Sequence, residues 1–240
     1  IPVENIDLLS RYGQQAGDTA LDRLGSVAWQ AKKARIKGKI KEMADELIKI
    51  AASRQVSKAE KLDVPVGMFD EFCAGFQFFE TDDQLDAISD VIDDLASGKP
   101  TDRLICGDVG YGKTEVALRA AFVACMSGYQ VALVTPTTLL ARQHGKLFEE
   151  RFKDFPIQIG VLSRMTPAKN AASIKQDVSD GTCQMVIGTH ALLSKSMVFS
   201  NLGLLIVDEE QHFGVAQKEQ LKKMRGNLHV LTLSATPIPR

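Results

Sequence analysis

From about residue 100 onward, short apolar runs alternate with longer stretches whose apolar residues recur at helical spacing. The short runs are Arg103–Cys106, Val131–Thr135, Ile157–Leu162, Met185–Gly188, Leu204–Val207 and Val230–Leu233. Their near-continuous hydrophobicity predicts strands covered on both faces, the habit of a parallel sheet. Between them, Thr114–Met126, Leu139–Phe152, Pro167–Asp180 and Val215–Met224 read as helices. A further helix is predicted from Thr81 to about Ser97, acidic at its start as the helix dipole prefers and stopped by Gly98-Lys-Pro100. Strict alternation of the two kinds of element predicts an α/β fold, a parallel sheet flanked by helices. Val64–Phe79, with Phe69, Phe72, Phe76, Phe78 and Phe79, reads as irregular.

The first quarter of the chain has a different pattern. Residues 1–20 hold room for one or two short strands and a turn between Gly13 and Asp18. From Leu21 to about Ala59 the pattern is helical, with Ile36, Ile40, Met43, Leu47 and Ile50 forming one stripe and Lys33, Lys37 and Lys41 another. The Lys row reads first as a solvated face and second as a surface for nucleic acid or a partner. Trp29 is expected to anchor this segment on a neighbour. The expected organisation is the frayed end of something preceding, with short strands, at 1–20, a long basic linker helix at 21–62, and an α/β domain at 63–240.

Charge sharpens this division. Overall net charge is only −1, but residues 21–60 carry ten Lys/Arg against five Asp/Glu, while residues 61–102 carry two against eleven. The basic signature of a whole nucleic-acid-binding domain is absent, so any such contact must come from local loops. Cys73, Cys106, Cys125 and Cys183 are widely spaced, which points to reduced thiols in a cytoplasmic protein rather than to zinc. No apolar run approaches the roughly 18 residues of a membrane span, and no signal peptide is visible. The start at Ile1-Pro-Val rather than Met is expected of a piece of a longer protein.

Gly107-Asp-Val-Gly-Tyr-Gly-Lys-Thr114 fits the pattern G-x-x-x-x-G-K-[ST] at every required position. Gly107, Gly110 and Gly112 let the backbone turn so that successive N–H groups face phosphate oxygens. Lys113 would reach the β- and γ-phosphates and the Thr114 hydroxyl a Mg²⁺ ion. A predicted strand before the loop and a helix after it complete the phosphate site, since the helix N-terminus favours anions. Downstream, Leu204-Leu-Ile-Val207 runs directly into Asp208-Glu209-Glu210-Gln211. A carboxylate there can anchor the same metal ion, through Asp208, while Glu209 orients and deprotonates an attacking water. None of His144, His190, His212 and His229 shows metal-ligand spacing.

Further segments complete an ordered series: Thr81-Asp-Asp-Gln84, Thr135-Pro-Thr-Thr-Leu-Leu-Ala-Arg-Gln-His144, Gly188-Thr-His190 and Ser234-Ala-Thr236. Together with the phosphate loop and Asp208-Glu-Glu-Gln211, the series resembles the first RecA-like domain of superfamily 2 helicases and translocases. Within that superfamily it resembles the bacterial double-stranded DNA translocases, namely the transcription-repair coupling factors and the fork-reversing branch-migration helicases. Leu8-Leu-Ser-Arg-Tyr12, Leu21-x-x-Leu-Gly25, Ala28-Trp29 and Glu46-Leu-Ile-Lys-Ile-Ala-Ala52 favour the first group. In that group a small β domain that binds RNA polymerase passes through a long helix to the motor.

The resemblance implies ATP and Mg²⁺ as cofactors, with double-stranded DNA and RNA polymerase as partners. It also implies a damage-recognition protein of nucleotide excision repair, reached through regions outside these residues. Gln84 would read the adenine and Thr81 would support its loop. Thr137, Thr138, Arg142, Thr189 and His190 would face the DNA backbone, where hydroxyls and one Arg suit contacts that ignore sequence. On the sequence alone Arg142 is also readable as a plain surface charge. Ser234 and Thr236 would couple nucleotide state to DNA grip. His212 departs from the pattern, which more often has Arg there. Because the residues stop at Arg240, a second RecA-like lobe with its arginine fingers is expected to be missing, leaving the piece nearly inactive by itself. A regulatory phosphate-loop switch with no DNA role is the remaining reading; it should lack Thr135–His144 and Gly188–His190.

Overall fold

The computed structural model describes residues 58–235 apart from 195 and 225–227, together with helical positions between 27 and 48. The chain divides into two units, Ile1–Ala51 and Ala52–Arg240. In the first, every described position from 27 to 48 is helical, Ile36 and Ile40 are exposed, and the Lys33 ammonium lies 5.9 Å from the centre of the Trp29 ring. The expected β tail at 1–20 lies outside the described residues.

In the second unit the helices are α1 (Met68–Ala74), α2 (Asp82–Ala96), α3 (Lys113–Met126), α4 (Thr138–Phe152), α5 (Ala168–Ser179) and α6 (Val215–Met224). The strands are β1 (Asp102–Cys106), β2 (Gln130–Val134), β3 (Ile159–Leu162), β4 (Met185–Gly188), β5 (Leu202–Asp208) and β6 (His229–Ser234). All pair in parallel, in the order β1-β6-β5-β2-β4-β3. Residues along β2 alternate between two cores: Val131 and Leu133 join one, Ala132 and Val134 the other. This two-sided burial is the physical reason the strands read as unbroken apolar runs.

Helix α3 follows the phosphate loop and is buried on every side from Glu115 to Cys125. Its Ala117, Ala120, Ala121 and Ala124 keep it thin enough to sit between the sheet and α2. Helix α2 starts with a capping box, in which the Thr81 hydroxyl accepts from the Gln84 N–H and the Gln84 side chain accepts from the Thr81 N–H. Its buried face is Ile88, Val91 and Leu95.

Two expectations need correction. The stretch read as irregular contains α1, flanked by Gly67 at φ 81° and by Gly75. Phe72 on α1 stacks on Phe122 of α3, with ring centres 4.3 Å apart and planes 13° apart. Residues 58–62, assigned to the linker helix, run without helical structure. They form a strap whose Ala59 and Leu62 N–H groups donate to Gly98 and Leu95 carbonyls, at 3.1 and 3.0 Å, while Leu62 is fully buried. Burying one leucine and completing the end of α2 outweighs one more helical turn.

Candidate functional site

The site lies where the parallel strands end. The phosphate loop follows β1, Asp208 closes β5, and β6 runs between those two strands. The end of β6 is bonded to both neighbours: the Gly107 N–H donates to the Ser234 carbonyl at 3.3 Å, and the Glu209 N–H donates to the Leu233 carbonyl at 2.9 Å.

In the loop, Gly110 and Gly112 have φ of 88° and 76°, a left-handed conformation that side chains rarely adopt. At Gly112, which caps α3, a Cβ would also collide with the Gln84 amide nitrogen. The Gln84 Nε2 donates to the Tyr111 carbonyl at 2.8 Å, so Thr81, Gln84 and the loop form one bonded unit. The Lys113 ammonium spans the loop from inside, donating to the carbonyls of Gly107 at 2.5 Å and Asp108 at 2.9 Å. Thr114 is half-buried in the first turn of α3.

A cavity of about 790 Å³ opens beside the loop, lined by Thr81, Gln84, Tyr111, Thr114, Phe78 and Phe79 among others. Its size suits a drug-sized ligand or a nucleotide base. Neither Asp208 nor Glu209 lines it, so it opens on the Gln84 side of the loop rather than on the carboxylate side. Beneath it, Arg119 pairs with Glu80 and donates through Nε to Glu115 at 3.0 Å, and Arg151 donates to the same Glu115 oxygen at 3.0 Å. Burial pushes the Glu115 carboxyl above its ordinary value, with Arg151 and Arg119 opposing that shift. The half-buried Glu80 is held below its ordinary value by its bond to Arg119. These four charges tie the segment before Thr81 to α3 and α4.

On the carboxylate side, Asp208 is buried and its Oδ2 lies 2.8 Å from the His144 Nε2. Glu209 follows at φ 50° and ψ 52°, the one non-glycine residue at positive φ among those described. Such a conformation costs roughly 1–2 kcal/mol in an L-residue and clusters at working sites. The Glu209 carboxylate accepts from the Gln211 amide, and the Ser234 hydroxyl donates to the Gln211 carbonyl oxygen at 3.3 Å. Gln211 thus bridges the end of β5 to the end of β6, a role no local pattern announced. His144 likewise carried no assignment, because its partner is 64 residues away.

The residues suit a magnesium nucleotide. Two left-handed glycines and the Lys113 ammonium make a cradle for phosphates, and the Thr114 hydroxyl and Asp208 carboxylate are the hard oxygen donors Mg²⁺ prefers. Among the described residues no three His, Cys, Asp or Glu side chains form a cage for a metal; Mg²⁺ usually takes one or two protein oxygens and completes its shell with phosphates and water. Bound there, the nucleotide would supply the phosphoryl group and the charge that the ion offsets.

Of the remaining positions, Thr137 is exposed and caps α4, its hydroxyl accepting from the Leu140 N–H at 3.2 Å. Thr138 is half-buried, and Arg142 and His190 are exposed. Thr189 departs from the expectation of a DNA-facing hydroxyl: it is 4% exposed, so it supports the short turn His190–Leu193 and leaves His190 at the surface. Thr236 lies outside the described residues. No helix among the described residues is long and apolar enough to cross a membrane.

Comparison with known proteins agrees with this geometry. The chain is 50% identical over its whole length to the transcription-repair-coupling factor of Rickettsia bellii and 48% identical to that of Bacillus subtilis. It spans 22% and 20% of those proteins, about a fifth of their length. A solved structure of RecG bound to a three-way DNA junction matches 80% of this chain and 26% of its own, with a TM-score of 0.70 and 35% identity. The DUF1998 helicase MrfA shares the fold at a TM-score of 0.54 and 15% identity. The profile of DEAD/DEAH box helicases matches residues 81–240, and the chain belongs to that family of nucleotide-binding domains.

Proposed function

We propose that this chain is the ATP-binding lobe of a double-stranded DNA translocase of the transcription-repair coupling type. The motor displaces stalled RNA polymerase and hands the damaged site to nucleotide excision repair. One observation carries the enzymatic part: β6 is bonded at its end to both the phosphate loop and the carboxylate loop. That arrangement supports ATP with Mg²⁺ as the cofactor pair, Lys113 on the phosphates, and Thr114 with Asp208 on the ion. Glu209 holds the attacking water and takes its proton. The identity to transcription-repair-coupling factors over the whole chain supports the biological part. On the DNA side, Thr137, Thr138, Arg142 and His190 supply contacts to phosphates, with Thr189 behind them, and the reading places the protein in the bacterial cytoplasm.

The test is ATP-dependent release of a stalled polymerase by the full-length protein. Release by the natural protein and none by its Glu209→Gln form is the expected result. A second reading, a fork-reversing helicase, is favoured by the likeness to RecG on its junction. Remodelling of a three-way junction without any polymerase release would select it.

A further inference from the structure

We infer that His144 is a positioning residue that couples the DNA-facing stretch Thr137–Arg142 to the Asp208 carboxylate. The inference rests on the reading of the chain as a DNA-driven ATPase lobe and adds a route between its two sites. Helix α4 starts at Thr138 and carries both groups: Thr137 caps it, Thr138 opens its first turn, and its second turn holds both Arg142 and His144.

The His144 Nε2 lies 2.8 Å from the Asp208 Oδ2, and both residues are buried. A carboxylate only accepts, so Nε2 carries the proton and donates. This bond fixes the Asp208 side chain and the direction of its remaining lone pairs, as a partner behind a metal-anchoring carboxylate does. The imidazole in turn stands edge-on to Phe148, one helical turn further along, with ring centres 6.2 Å apart and planes at 73°.

Helix α4 is fastened at both ends of this span. At its start the Thr135 hydroxyl donates to the Thr137 carbonyl at 3.0 Å, and the Thr137 hydroxyl accepts the Leu140 N–H. Beside His144, Gly145 allows α4 to lie so close to β3 that a Cβ would come 2.7 Å from Val161 Cγ2. A helix packed that tightly shifts as a body, so a movement at Thr137 reaches His144 and with it Asp208. Any buried imidazole needs a hydrogen-bond partner; what sets His144 apart is that its partner is the carboxylate that closes β5, on the helix that also carries Thr137, Thr138 and Arg142.

Coupling of this kind is a reciprocal free energy, and it is measured without turnover. In the full-length protein, the affinity for a fluorescent DNA duplex is measured by anisotropy, with and without Mg²⁺ and a non-hydrolysable ATP analogue. The ratio of the two affinities is the coupling factor, and allosteric systems typically give about 5- to 150-fold. For His144→Ala the factor is expected to fall within about twofold of unity. His144→Gln places an amide N–H near the Nε2 position and is expected to restore it. His144→Asn keeps polarity but is too short to reach, and takes the place of alanine if that variant does not fold. A coupling factor in His144→Ala or His144→Asn equal to the natural protein's overturns the inference, whatever the change in melting temperature, and so does a glutamine variant as uncoupled as asparagine. Absence of DNA binding by the natural protein overturns instead the reading on which the inference stands.

Discussion

Strand β6 has two ends of opposite character. At its start, His229 is buried, its Nδ1 3.0 Å from the Thr101 hydroxyl and its Nε2 2.9 Å from the Glu60 carbonyl. A carbonyl can only accept, so Nε2 donates there and Nδ1 accepts from Thr101 in the neutral ring. Nearby, the strap from 58 buries Leu62 completely. At its other end the strand serves two loops, beside a glutamate held in a left-handed conformation and glycines that cannot be replaced without strain. One end gains stability from complete hydrogen bonding and burial. The other holds local backbone strain of the kind that clusters at working sites. Changes at the two ends should therefore separate: those at the start lower stability and spare the site, whereas those at the far end impair the site, with or without a cost in stability.

The sharpest break comes at Glu209. Glu209→Gln is expected to lower ATP hydrolysis by the full-length protein by about 10²–10⁴-fold, the usual worth of a general base. Its melting temperature and nucleotide affinity are expected to hold, and steady-state rates beside a thermal melt check both. At the opposite end, Leu62→Ala is expected to cost about 2–5 kcal/mol of stability by urea titration, with nucleotide affinity unchanged. A large loss of nucleotide affinity there would erase the distinction between the ends.

Gly112→Ala comes next. The substitution meets both a positive φ and the Gln84 amide, so a stability cost of about 1–3 kcal/mol is expected, with a weakened site for a labelled nucleotide. The smallest effect is a pH dependence. Burial holds the His229 imidazole below its ordinary value of 6.5. As pH falls below 6.5 the unfolded chain gains this proton before the folded one. The stability tied to His229 is thus complete above 6.5 and is lost as pH falls through the lower folded value. Urea midpoints of the natural chain and of His229→Asn on either side of that window should diverge less in the variant.

What could be read from the sequence follows the range of the physics involved. Strands and long helices were legible because their burial pattern is local: β4 and α6 fall on the expected residues, and the others agree within a few positions. The phosphate loop was legible because its demands on backbone freedom lie within a few consecutive residues. Helix α1 was missed although Gly67 and Gly75 punctuate it, since its aromatic richness masked a single turn-spaced pair, Phe69 and Phe72. The strap at 58–62 was misread because burial of Leu62 depends on α2, not on its own neighbours. Gln211 and His144 stayed silent for the same reason. Their partners Ser234 and Asp208 come together only in the folded sheet.

The strand order also bears on how the molecule is made. Among the described strands β1, which leads into the phosphate loop, pairs only with β6, and the bond between Thr101 and His229 spans 128 residues. On a ribosome the loop is therefore synthesised well before β6, the strand that frames it. Contacts this distant in sequence form slowly, and the chain waits with β1 as an unpaired edge. A nucleotide held by the finished loop would favour the folded state by mass action, and with it the late pairing of β1 with β6.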